Sequence, residues 1–148
     1  MTELEERQHW MAVLAKSSFA ELKRYWQTLE LEPEYTLVRR PEIGLVQIPG
    51  RMGGTGRAFN MGDVTVTRSV VRLASGELGY SYLLGRNKSH AELAAVIDAL
   101  LQKVSYRDVI QSGLIKPLAE IKSQRDHQRA SEVASSKVDF FTMVRGDA

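Results

Sequence analysis

Residues 50–57 read GRMGGTGR, and on both sides of them the chain alternates in the manner of β-strands. Four glycines and two arginines fall within these eight positions. Glycine reaches backbone angles that other residues avoid, so such a loop can turn several amide N–H groups toward one point. The arginines add fixed charge and forked donors. Together they suit a phosphate or another anion. The candidate contact residues are Arg51, Gly53, Gly54, Thr55, Gly56 and Arg57. A flexible connection, or a close backbone approach to a neighbouring subunit, fits the same residues. The strict nucleotide motifs fail. Counting on from Gly50 puts no lysine where a P-loop needs one, and Phe59 stands where a dinucleotide fingerprint needs glycine or alanine.

Working outward, the strand pattern is short and broken. Residues 35–39 and 43–48 are β-rich, with a turn signal at 40–42. A second turn is expected at 60–62, and 63–73 is the longest strand candidate. Its alternation slips: Val64 and Val66 share one parity, Val71 and Leu73 the other. The slip predicts a β-bulge near residues 68–70, or a strand partly buried on both sides. Ser75-Gly76 marks a hairpin turn, and Leu78, Tyr80, Tyr82 and Leu84 share one face of the strand after it. Pairing of these strands would draw Arg68 and Arg86 toward one patch, where bidentate phosphate contact is possible. A solvated or salt-bridged sheet face explains either arginine equally well.

Helices flank this segment. Thr2 and Glu5, then Ser18 and Glu21, have the S/T-x-x-E form of a capping box. They predict a helix over about 4–16 and a second carrying Phe19, Leu22, Trp26 and Leu29 on one face. The pair forms a helical hairpin that Pro33 ends. Ser89 and Glu92 make a third box, opening an apolar helix over about 90–104 that packs on the sheet. A short helix at 105–111 should stop at Gly113. Residues 117–136 are polar and helix-prone, a surface or partner-covered helix. Residues 138–144, VDFFTMV, read as a strand-like end. There Phe140, Phe141 and Met143 are the candidate assembly residues, since adjacent phenylalanines are poorly placed in water. Strands grouped between helices predict an α+β fold: an N-terminal helical hairpin, an antiparallel sheet of four to five strands, C-terminal helices and a terminal strand-like tail. With 148 residues and 43% hydrophobic content, one domain spanning 1–148 is expected.

Composition narrows the chemistry. The absence of cysteine excludes disulfides, thiolate nucleophiles and Cys-held clusters. No apolar run approaches the ~20 residues of a membrane span, and the acidic start is unlike a signal peptide, so a cytoplasmic protein with no membrane partner is expected. Between Arg39 and Lys88 stand eight basic residues against Glu42, Asp63 and Glu77, so this segment is +5 and the remainder −3 of the net +2. Without a nucleic-acid signature, and with aromatics at 7%, a phosphorylated ligand or an acidic protein surface fits at least as well as nucleic acid; no nucleic-acid partner is expected. His9, His90 and His127 have no ligand spacing, so no metal site is expected, and no serine sits in a nucleophile elbow. The residues show no self-sufficient active site.

Five strings then stand together: RQHWMAVLA from Arg7, GLVQIPGRMGGTGRAFNMGDVTVTR from Gly44, GYSYLLGR from Gly79, HAELAAVIDALLQ from His90 and VDFFTMVRG from Val138. In this order they resemble the PhnG family, subunits of the bacterial carbon–phosphorus lyase machinery. The resemblance implies a subunit of α-D-ribose 1-methylphosphonate 5-triphosphate synthase, which displaces adenine from ATP with methylphosphonate. It implies partners: PhnI most directly, with PhnH and PhnJ. It also implies that ATP is a substrate of the complex, and that this chain binds no cofactor and is inactive alone. It brings no catalytic residue to any position here.

Overall fold

The computed structural model describes residues 2–51 and 58–146, with side chains described outside 48–61 and 136–146. The order is α1 (Glu3–Lys16), α2 (Phe19–Thr28), β1 (Tyr35–Arg51), β2 (Ala58–Leu73), β3 (Leu78–Leu84), α3 (Lys88–Leu101), α4 (Val104–Ile110), a π-helical stretch (Gln111–Ile115) and α5 (Lys116–Gly146). The α+β class and the two N-terminal helices are as expected.

Local signals set the helix starts. The Thr2 and Ser18 hydroxyls accept the amides of Glu5 and Glu21, each at 3.2 Å, satisfying amides that have no partner inside the helix. The third cap lies earlier than expected: Asn87, not Ser89, accepts the His90 amide at 2.9 Å. Helix α2 ends before Pro33 acts, because Glu30 takes the left-handed conformation with φ +52°. That position ordinarily favours glycine.

The sheet has three strands rather than four to five, in the order β1-β2-β3, all antiparallel. The turn expected at 40–42 is an irregularity inside one strand. Register shifts fall between Leu37 and Arg39 and between Arg39 and Glu42, so β1 carries the extra residues. Pro41 is tolerated there because β1 is an edge strand and needs no outward N–H. Residues 60–62, also expected to turn, lie within β2, with Ile48 opposite Gly62. The irregularity foreseen at 68–70 is thus real but sits across the ladder, in β1. On β2 the apparent slip arises because Thr67 and Ser69 occupy the inner face, both buried, while Val66 is buried on the other face. Each inner hydroxyl has a partner. Thr67 donates to the Gly85 carbonyl at 2.6 Å and Ser69 to the Arg39 carbonyl at 3.3 Å.

Helix α3 lies on that inner face. A Cβ at Gly79 would overlap the Ala95 carbonyl oxygen and stand 2.8 Å from the Ala99 methyl. Helix and strand therefore approach until backbone meets backbone, which Gly79, Ala95 and Ala99 permit by being small. Around α3 close Trp10, Val13, Leu14, Leu22, Val71, Leu73, Ile110, Leu114, Ile115 and Leu118.

The C-terminal third departs most from expectation. The chain does not stop at Gly113. It passes through the π-helical stretch, where Gly113 admits Leu29 closely, and continues as α5 to Gly146. The strand-like tail is helical in backbone. Once a helix is nucleated at Lys116, each added residue gains a hydrogen bond. The modest helix reluctance of Val, Phe and Thr does not reverse this. At 1.5 Å per residue, α5 is about 46 Å long, and among the described side chains those from Ser123 to Ser135 are exposed.

Candidate functional site

The glycine-rich block joins the far ends of β1 and β2. Strand β3 stops at Leu84, opposite Val66, but β1 and β2 stay paired from Leu45–Thr65 to Arg51–Ala58. The eight β2 residues from Ala58 to Thr65 make a two-stranded ribbon about 27 Å long at ~3.4 Å per residue. Gly53, Gly54, Thr55, Gly56 and Arg57 lie outside the described residues. Arg51 closes β1, and nothing is described of its side chain. Phe140, Phe141 and Met143 belong to α5 by backbone, again without described side chains.

The two remaining candidates are not brought together. Arg68 stands on the outer sheet face, opposite Glu42 and Tyr82, and its guanidinium is 3.6 Å from the Glu42 carboxylate, both about half exposed. Arg86 is past the end of β3, in the turn to α3. That turn is set by Gly85 at φ +100° and by the Asn87 amide, which donates to the Thr67 hydroxyl at 3.2 Å.

The strongest polar constellation is one that the sequence reading passed over. Asp98, fully buried on α3, accepts four hydrogen bonds. Arg7 donates Nε to Oδ1 at 3.2 Å and Nη2 to Oδ2 at 2.9 Å; Trp10 donates Nε1 to Oδ1 at 2.8 Å; the Tyr80 amide donates to Oδ2 at 2.9 Å. The bond to Asp98 raises the Arg7 pKa above its usual value, against the opposing effect of burial. Arg7 also lies over the Tyr80 ring, 5.6 Å from its centroid. This carboxylate fastens α1, α3 and β3 together and has no lone pair aimed at a cavity. A signal existed: an aspartate inside the apolar run VIDALL requires a buried partner.

His90 is similarly structural. Its Nε2 donates to the Leu14 carbonyl at 2.8 Å, and its ring stacks on Phe19 at 5.8 Å. Several clefts open on the described surface, among them one of about 430 Å³ beside Arg7, Trp10 and Arg107 and two that border the sheet. Of these two, one of about 370 Å³ is lined by Trp26, Tyr35, Lys88 and Glu92. In it the Tyr35 hydroxyl donates to Glu92 at 2.7 Å, and burial, then this bond, push the phenol up to about 12. The other, of about 410 Å³, lies between β3 and α5 and carries Lys16, Glu21, Lys122, Arg125, Asp126 and Arg129 on its walls. Histidine lines neither cleft. Among the described residues no group of three His, Asp or Glu side chains could hold a metal ion, and no helix is long and apolar enough to cross a membrane.

These features define a class: an α+β protein whose described polar clusters lock the fold, and whose ribbon, outer sheet face and long helix offer surface to something else. The chain belongs to the PhnG family. The family model for phosphonate metabolism protein PhnG matches residues 5–146. Over 142 residues the chain is 42% identical to the α-D-ribose 1-methylphosphonate 5-triphosphate synthase subunit PhnG of Rhizobium meliloti (strain 1021), covering 96% of this chain and 90% of that protein.

Proposed function

We propose that this chain is an auxiliary subunit of an α-D-ribose 1-methylphosphonate 5-triphosphate synthase, acting in the cytoplasm within the assembly that displaces adenine from ATP with methylphosphonate. PhnI is its most direct partner, with PhnH and PhnJ in the same core. It holds no cofactor of its own; ATP is the substrate of the assembly. The near full-length match to a named synthase subunit carries this reading. The geometry agrees with it, because an isolated two-stranded ribbon is at best marginally stable in water and gains by being covered.

The test is reconstitution with ATP and methylphosphonate, reading adenine release. The four chains together should turn over, and the purified chain alone should not. Turnover by this chain alone, or undiminished turnover without it, overturns the proposal. Within the assembly, Arg51→Ala with Arg57→Ala should lower activity more than assembly, as expected if the ribbon tip meets a triphosphate; the reverse ordering makes the tip a docking element. Phe140→Ala with Phe141→Ala should reduce co-purification with PhnI.

A second reading, an independent binding module for a phosphorylated small molecule, draws on the basic cleft beside α5. Micromolar binding of ATP by the isolated chain in calorimetry would favour it.

A further inference from the structure

Antiparallel pairing sorts the sheet residues into two faces. The inner face holds Thr67, Ser69, Val71, Leu73, Gly79, Ser81 and Leu83, the residues that α3 covers. The outer face holds what is left over, and its content is unusual for a face left in water. Along β3 stand Leu78, Tyr80, Tyr82 and Leu84, the last three 43%, 52% and 72% exposed. Beside them on β2 come Arg72, Val70, Arg68 and Val66, in register with those four, Val66 being buried. On β1, Thr36, Arg39, Glu42 and Gly44 complete the same rows. Apart from Leu83, the larger side chains of β3 thus point away from the core, while Gly79 and Ser81 point in.

We propose that this outer face docks onto an acidic partner subunit surface that also presents apolar side chains; the proposal rests on the subunit reading above. Charge selects the partner. Arg39, Arg68 and Arg72 share the face with the single carboxylate of Glu42, and Arg7, already paired with Asp98, lies over the Tyr80 ring at its edge. The exposed Arg68–Glu42 pair is of the kind worth little, so Arg68 is available to a better partner. Tyrosine and arginine are the residues that dominate the centres of protein interfaces. A nucleic-acid platform fits less well, because Leu78, Val70 and Leu84 flank the tyrosines and leave apolar surface where a sugar–phosphate backbone would lie. Size also points to a continuous interface. The three-stranded patch covers about 14 by 23 Å, roughly 300 Å², against the ~800 Å² per side of a stable interface. The face runs on through Val46 and Val64 into the ribbon, which supplies further area to the same partner.

The test measures binding of the full chain to the remaining subunits of the assembly, for wild type, Tyr82→Ser, Arg68→Glu with Arg72→Glu, and Arg68→Lys with Arg72→Lys. Tyr80 is left intact because Arg7, which holds Asp98, lies over its ring. Charge reversal should weaken binding on the order of 100-fold, with a loss of salt dependence. Tyr82→Ser should weaken it about 10-fold, and the lysine pair should retain most of it. The variants alone should melt close to wild type. Unchanged binding by both the serine and the glutamate variants overturns the surface while leaving the subunit reading intact. If wild type fails to bind the other subunits at all, the subunit reading falls and takes the surface with it. Wild-type self-association, or binding of a single-stranded oligonucleotide, that the glutamate pair abolishes would reassign the face and overturn the acidic subunit as its occupant.

Discussion

The seat of α3 and the parts that leave the body obey opposite rules. At the seat, backbone meets backbone across Gly79, Ala95 and Ala99, and a buried carboxylate is saturated by four donors. Away from the seat, the described side chains of α5 beyond Ile121 are mostly exposed, and among the described residues no third strand pairs with the ribbon. The stability of the folded chain therefore concentrates in the first region. The second is free to be shaped by a partner, and a substitution there should be silent until the partner is present.

The seat of α3 is most vulnerable at Asp98. Asp98→Ala strands Arg7, the Trp10 indole N–H and the Tyr80 amide, and should cost about 3–5 kcal/mol in urea unfolding. A loss below 1 kcal/mol would mean that the cluster does not hold the seat. Gly79→Ala should cost about 1–3 kcal/mol or more, because α3 must lift from β3; a melting temperature equal to wild type would refute the close approach. Glu30→Gly at the left-handed end of α2 should gain about 0.5–1 kcal/mol, read in the same unfolding experiment.

Tyr35 tests the boundary, since it ties the edge strand to α3 through Glu92. Its folded pKa is raised from 10 to about 12. Its contribution is therefore complete below pH 10 and lost as pH rises through about 12. Relative to Tyr35→Phe, wild type should lose stability across that window; parallel curves would remove the tie. The smallest effect belongs to the projecting helix. Val133, 55% exposed, changed to Ser should shift the isolated chain by no more than about 0.5 kcal/mol. A larger loss would show that α5 packs along its length and would dissolve the comparison.

Legibility followed the range of the interaction. The caps at Thr2 and Ser18, the Ser75-Gly76 turn and the apolar helix before Gln102 could be read directly, because each depends on residues a few positions apart. The alternation of Leu78, Tyr80, Tyr82 and Leu84 was legible as a face. Its direction was not, since the closeness of Ala95 and Ala99 makes the small face the inner one. Residues 40–42 carry every local mark of a turn, yet pairing to β2 on both sides keeps them in one strand. VDFFTMV has the composition of a strand, and its place at the end of an established helix decided otherwise. For the site, Arg68 was read as a sheet residue with a salt bridge among its explanations, while the Asp98 cluster joins positions 7, 10, 80 and 98.

By itself, then, the sequence determined the α+β class, the helix starts, the basic character of the β-segment and, through its long specific strings, the family. Tertiary structure alone decided which face of the sheet is covered, which carboxylate is buried, and that the glycine-rich block joins a ribbon reaching past β3. The reason is physical. Propensity, capping and charge are properties of neighbouring residues, whereas burial is set by where α3 comes to rest, and only the folded chain specifies that.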